Sequence, residues 1–245
     1  MENQNSIEIV LAIPGGWLNR LEIVTSIAKK SQGYLFAGET ITHLNSRQSF
    51  DLEIANHNTG LCQAFALAGR GDFSDQDLKR LARHTFTLYA IGPGGSLEAA
   101  RSIMNLAAGL LRSGGIAVKV DSSGLAHNAE RWLNYVRYKD SELTALYDAY
   151  VLIATSGNTL YSCGMHNLGY PDAIAEISES PDETAHLLQT FLLYLLHETP
   201  QLRDGNSFSV SAATPHYRLK MENCTIYSPG ALFYNPFGRW RLSRL

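Results

Sequence analysis

Twice in this chain a run of β-branched and apolar residues stops at a Pro-Gly cluster and gives way to helical periodicity. Residues 7–13 (IEIVLAI) end at Pro14-Gly15-Gly16, and Leu21, Val24, Ile27 and Ala28 then recur at helical spacing up to Lys29-Lys30. Residues 86–91 (FTLYAI) end at Gly92-Pro93-Gly94-Gly95. Behind them Leu97, Ala100, Ile103, Met104, Ala107, Leu110 and Leu111 form a broad apolar stripe. Each run reads as a largely buried strand and each stripe as a helix with one face on the core. Gly33 and Gly114-Gly115 end the two helices ahead of further strands at 34–37 and 116–120. This alternation confines the chain to an α+β class made of two sequential α/β units. An internal duplication would account for the echo, and so would the punctuation that all α/β units share.

The rest of the chain fits the same reading. Residues 50–54 form a strand behind a polar loop at 40–48, and residues 59–69 suit a helix or a strand equally. Ser74-Asp75-Gln76-Asp77 predicts an N-cap with acid in the first turn. Ser122-Ser123-Gly124 predicts a turn. A helix is expected over 127–138 around Ala129, Trp132, Leu133 and Val136, and a shorter one around Leu143, Leu146 and Tyr147. Residues 150–155 and 159–165, joined by Ser156-Gly157-Asn158, predict an antiparallel hairpin, followed by a strand at 173–177. Ser180-Pro181-Asp182-Glu183 predicts a capped helix carrying Leu188, Phe191, Leu192 and Leu195 as far as Pro200. Short β-like runs at 208–212, 217–221 and 225–227, cut by Pro215, Pro229 and Pro236, predict extra C-terminal strands. The expected division is 1–85 for the first unit and 86–245 for the second, unless one compact domain holds both.

Composition narrows the function. Apolar residues make up 45% and charged residues 18%, as in an ordinary soluble globular protein. Net charge is −3 and only Lys79-Arg80 with Arg83 gathers basic residues, which argues against a nucleic-acid partner. No apolar run is long enough to span a bilayer, and no charged start with an apolar stretch behind it suggests a signal peptide. Cys62, Cys163 and Cys224 are odd in number and far apart, so a disulfide framework is not expected and a reducing cytoplasm is.

Three stretches could carry chemistry. Gly92, Gly94, Gly95 and Ser96 join a strand to a helix, where free backbone amides attract anions or a nucleotide. The lysine of a Walker loop is absent, and Leu97 stands where a dinucleotide fingerprint needs its third glycine. The same turn chemistry applies to Pro14-Gly15-Gly16. Cys163-x-x-His166 has the spacing of half a zinc site, but His216 and Cys224 do not complete it, so no metal or cofactor is expected. Cys163 could serve as a nucleophile with His127, His166 or His216 as base and Asp121 or Asp172 as orienter. No Gly-x-Ser-x-Gly elbow is present. The pairs Tyr135/Tyr138 and Tyr147/Tyr150 each sit three apart, on one helical face that could anchor a partner.

The stretch Ser162-Cys163-Gly164-Met165-His166-Asn167-Leu168-Gly169-Tyr170-Pro171-Asp172 reads first as a structural joint. Gly164 and Gly169 permit backbone that a side chain would forbid, and Pro171 stiffens the approach to the next strand. With Glu176 and the capped helix, the stretch resembles the signature of a bacterial domain-of-unknown-function family: small-x-Gly-Met-x-x-x-Gly-x-Pro-acid, then a helix. The resemblance covers roughly residues 143–199. It implies a bacterial, soluble α+β module with no established activity, and it brings no catalytic residues with it. The expectation is a non-catalytic binding or regulatory module for a protein or peptide partner. The alternatives are a small hydrolase or transferase using Cys163 and His166, and a binder of anions or nucleotides at Gly92 to Ser96.

Overall fold

A computed structural model describes residues 7–137 and 142–245. It is an α+β fold with two sheets. The first holds seven antiparallel strands, β1 (Glu8–Gly15), β2 (Tyr34–Ala37), β3 (Thr40–His43), β4 (Ser49–Asn56), β5 (Phe86–Pro93), β6 (Ala117–Val120) and β7 (Leu125–Asn128). Their order across the sheet is β2-β3-β4-β5-β1-β6-β7. The second holds β8 (Leu152–Ser156), β9 (Thr159–Cys163), β10 (Asp172–Glu176), β11 (Ser207–Phe208), β12 (Tyr217–Glu222) and β13 (Arg239–Arg244) in the order β11-β12-β13-β10-β9-β8. Only β10 and β13 run parallel there.

The expected boundary between residues 85 and 86 falls inside the first sheet. β5 lies between β4 and β1, with Leu11 opposite Ala90 and Leu52 opposite that same Ala90. The chain changes sheets between β7 and β8 instead, and one hydrophobic core joins the two.

Helix α4 (Leu97–Arg112) occupies the middle of that core, with nine of its residues buried. Its N-terminus is capped by Ser96, whose Oγ accepts from Ala99 N at 3.1 Å. Three aromatic side chains donate to carbonyls along its length. Tyr150 Oη bonds Ala100 O at 2.8 Å, Trp132 Nε1 bonds Met104 O at 3.1 Å, and Trp17 Nε1 bonds Ser113 O at 2.9 Å just past its end. Buried Tyr and Trp bring a polar tip that requires a partner, and here each tip ties a neighbouring segment to the central helix. Helix α1 (Arg20–Lys30) buries Ile23 and Ile27, whereas Leu21, expected on its apolar face, is 73% exposed. The α1–β2 turn reaches α4 at Gly109, where a Cβ would stand 2.9 Å from Ser31 O. A mid-helix glycine is normally a cost; here it permits the close approach.

The ambiguous 59–69 segment is helix α2 (Leu61–Ala68), and α3 (Asp75–Ala82) follows with the expected cap, a reciprocal Ser74–Asp77 box. Both pack with Ile116, Ala117 and Ala126 on the face of the first sheet turned away from α4. His127 and Asn128, expected to begin a helix, end strand β7; helix α5 (Ala129–Arg137) starts after them. Tyr138, the expected end of that helix, lies outside the described residues. Tyr147 and Tyr150 both end up buried in α6 (Glu142–Tyr150), so that pair forms no exposed anchor.

Helix α8 (Pro181–Glu198) has the expected proline at its start and Ser180 Oγ accepting from Glu183 N. The polar loop expected at 40–48 contains strand β3. Of the three β-like runs in the tail, 217–221 falls in β12, 208–212 contributes only Phe208, the second residue of β11, and 225–227 is not a strand. Glu222 on β12 accepts from Arg241 Nε at 2.7 Å and from Arg239 Nε at 3.3 Å, clamping β12 to β13.

Candidate functional site

Two glycine-bearing stretches far apart in sequence meet in the fold. The Cys163 thiol ends β9, and the short helix α7 (Met165–Leu168) follows between Gly164 and Gly169, with φ of 119° and 88°. Both angles lie in the region that favours glycine. A Cβ at Gly164 would collide with the Tyr150 carbonyl oxygen, and one at Gly169 would stand 2.5 Å from Gly95 O. Gly95 N donates to Asn167 O at 3.1 Å, and Gly94 N donates to Ile7 O at 2.8 Å. Together with that of Ala99 on the Ser96 hydroxyl, three of the amides at the Gly92 to Ser96 turn and the first turn of the following helix are thus paired within the protein.

Asp172 is the polar centre of the joint. It is buried, yet Ser162 Oγ donates to its Oδ1 at 2.8 Å and Asn235 Nδ2 donates to its Oδ2 at 2.7 Å. Met165 N approaches Oδ1 at 3.4 Å. Ser162 Oγ in turn accepts from Ala173 N at 2.9 Å, and Asn235 Nδ2 also reaches Tyr170 O at 3.0 Å. Burial pushes the carboxyl up to about 6, against the pull of Asn235, Ser162, Met165 N and the Arg239 charge. A buried carboxylate with several donors is a knot, and this one ties β9, α7, β10 and the 235 loop together.

Cys163 and His166 are both buried but do not form a dyad. His166 Nε2 donates to Leu232 O at 3.0 Å, while its Nδ1 has no hydrogen-bond partner among the described residues. Burial holds the ring down to about 4, hence neutral, and burial also raises the Cys163 thiol far above its ordinary value. A nucleophilic thiol needs the opposite environment. The cleft that touches Cys163, lined also by Cys224, Tyr227 and Arg239, measures about 20 Å³, room for one water molecule. The other expected bases and orienters lie elsewhere. His127 Nε2 donates to Ala149 O at 3.1 Å, Asp121 pairs with Lys119, and His216 is exposed near the chain's end. Among the described residues no group of three or more His, Cys, Asp and Glu side chains comes together as metal ligands would.

Roomier space lies along α4, where Tyr135, expected as a partner anchor, is joined by polar residues of α4 that carried no functional expectation. One hollow of about 310 Å³ is walled by Tyr34, His43, Gln48, Ser102, Asn105 and Arg112. A second, of about 430 Å³, is walled by Arg101, Met104, Asn105, Tyr135, Glu142 and Leu146. They share Asn105 and Val136, and so form one cleft. Arg101, Ser102, Asn105 and Arg112 project from the side of α4 left uncovered by the core, at spacings a helix repeats on one face. Arg101 pairs with Glu142 at one end. At the other end the Tyr34 and His43 rings meet at 4.8 Å, and burial pushes the Tyr34 phenol up to about 12 against the pull of the Arg112 guanidinium. His43 Nδ1 accepts from Ser46 N at 3.2 Å, so the neutral ring carries its proton on Nε2. The polar stripe on an otherwise apolar helix was the available signal. It reads as a solvated face until the α1–β2 turn, β2, β3, α5 and α6 are seen to wall it.

Comparison with family models, with curated proteins and with solved structures returns no match. The resemblance of residues 143–199 therefore rests on its motif residues. No helix among the described residues is long and apolar enough to cross a membrane.

Proposed function

We propose that this protein is a non-catalytic binding module that receives a segment of a partner protein in the cleft along α4. The observation that carries the reading is the pair of adjoining hollows of about 310 and 430 Å³ sharing Asn105 and Val136, within the size range of ligand sites. From Arg101 to Arg112 the helix rises about 16 Å, which matches about five residues of extended chain. The lining mixes the apolar surfaces of Met104, Val136 and Leu146 with amide, hydroxyl and guanidinium donors, a surface suited to a peptide with alternating side chains. Cys163 and His166, both buried and with no hydrogen bond between them, lend the enzyme reading no support. A reducing cytoplasm belongs to the same proposal, and three free thiols on a chain of this size support it.

Selection of random twelve-residue peptides against the immobilised protein tests the reading. Asn105 is exposed, so Asn105→Trp should fill the cleft without disturbing the core. Selected peptides should bind the parent protein and lose at least tenfold in affinity on Asn105→Trp. Peptides that bind both equally would place the partner surface elsewhere.

A further inference from the structure

The two ends of the α4 cleft differ in charge. At the Glu142 end the positive charge of Arg101 is paired. At the other end, among the described residues, Arg112 is the sole charged residue in the lining and makes no ion pair. Around it the lining is rich in donors: the Tyr34 phenol, the Ser102 hydroxyl, the Asn105 amide and the His43 ring, whose Nδ1 is engaged by Ser46 N. Among the described residues no carboxylate lines this hollow, although the chain as a whole is net negative. Two independent features shape it. Gly109 lets the Ser31–Tyr34 turn close against α4 and form one wall. The β3–β4 turn forms another, held by His43 N donating to Gln48 O at 2.9 Å and by the Ser46 contacts to His43.

A half-enclosed guanidinium without a counter-ion, ringed by neutral donors, is complementary to an oxyanion. We propose that this end of the cleft is a carboxylate-binding subsite, and that the segment it takes is an acidic peptide whose Asp or Glu side chain sits against Arg112. The inference rests on the reading of the α4 cleft as a binding site. It adds the chemical class of the partner and the residue that selects it. The second hollow then takes the apolar side chains that neighbour the acid, against Met104 and Leu146.

The test is a two-dimensional NMR titration of the full chain with N-acetyl-glutamate amide, N-acetyl-glutamine amide and inorganic phosphate. The glutamate probe should shift the Arg112 Nε–H and His43 ring signals saturably, and the glutamine probe should leave them in place. Arg112→Gln should weaken the response about tenfold or more, as expected for losing a charge-assisted pair, and Arg112→Lys should restore part of it. Spectral dispersion and Tm of both variants report that the fold is intact. Equal responses to both amino-acid probes, or a response that survives Arg112→Gln, overturn the subsite. Saturation by phosphate without response to glutamate overturns the acidic-peptide assignment in favour of a phosphorylated partner. Selected peptides that are lost on Asn105→Trp but indifferent to Arg112→Gln would keep the cleft and remove its acidic preference. A glutamate response at Arg112 with no cleft-bound peptide would do the reverse.

Discussion

Among the buried titratable side chains, His127, His166 and Asp172 carry the largest shifts that bear on acid. His127 and His166 are each held down to about 4 by burial, from an ordinary value of 6.5. The unfolded chain takes up these protons below about pH 6.5 while the fold excludes them. The stability they contribute is therefore complete above that pH and is lost toward pH 4, by up to roughly 3 kcal/mol for each ring. Asp172 works in the opposite sense. Its pKa, raised to about 6, makes the fold bind a proton before the unfolded chain does, so its contribution grows as pH falls from about 6 to 4. Two rings outweigh one carboxyl, and the urea midpoint should drop between pH 7 and pH 5. His166→Gln keeps a donor for Leu232 O and should shrink that drop; an undiminished drop would assign the acid sensitivity to other groups. The buried Cys163 should also react with iodoacetamide far more slowly than the partly exposed Cys62 and Cys224, as peptide mapping after brief labelling would show.

Among the elements, α7 and its two glycines give the sharpest contrast. Gly164→Ala drives a methyl into the Tyr150 carbonyl and holds alanine at φ 119°, so it should cost about 3 kcal/mol or more. Gly157→Ala, also at positive φ but facing open space in the β8–β9 turn, should cost about 1 kcal/mol. Thermal denaturation of the two variants separates the role of the joint from glycine propensity alone; equal losses would deny the joint its part. The joint was legible in the sequence because glycine, proline and caps act locally, and the same holds for α8 and the Ser74 cap. Strand β3 was hidden because Thr40 to His43 is a short, mostly polar strand that only pairing with β2 and β4 makes favourable. The first two residues expected of α5, His127 and Asn128, belong to β7 because Leu125 and His127 bury against the core from a strand paired with β6. The α4 cleft escaped for a related reason. Its walls come from residues within 31–48 and 101–112, from Tyr135 and Val136, and from Glu142 and Leu146, and no local pattern announces that such separate segments will converge.

At the scale of the molecule, one core runs from the first sheet through α4, α6 and α8 to the second. Unfolding should therefore be a single transition. Trp17 and Trp132 report on the first sheet and its helices, and Trp240, in β13, on the second. Single-tryptophan variants should share one denaturation midpoint, whereas separated midpoints would show two independent folding units. The same unity explains why a division at residue 85 could not hold. β5 has one sheet neighbour on each side, and both come from residues before that point.

The position of β13 also sets an order of events during synthesis. It lies between β12 and β10, in register with Asp172 to Ala175, but it is made only after the chain has run on from residue 176 to residue 239. At typical translation rates that interval lasts roughly 3–12 s. Throughout it the first sheet has all seven strands available, while β10 carries one edge without its neighbour. An apolar edge left open for seconds is a template for another nascent chain, so the passage through this interval, more than the finished fold, is where such a protein would need the protection of a chaperone.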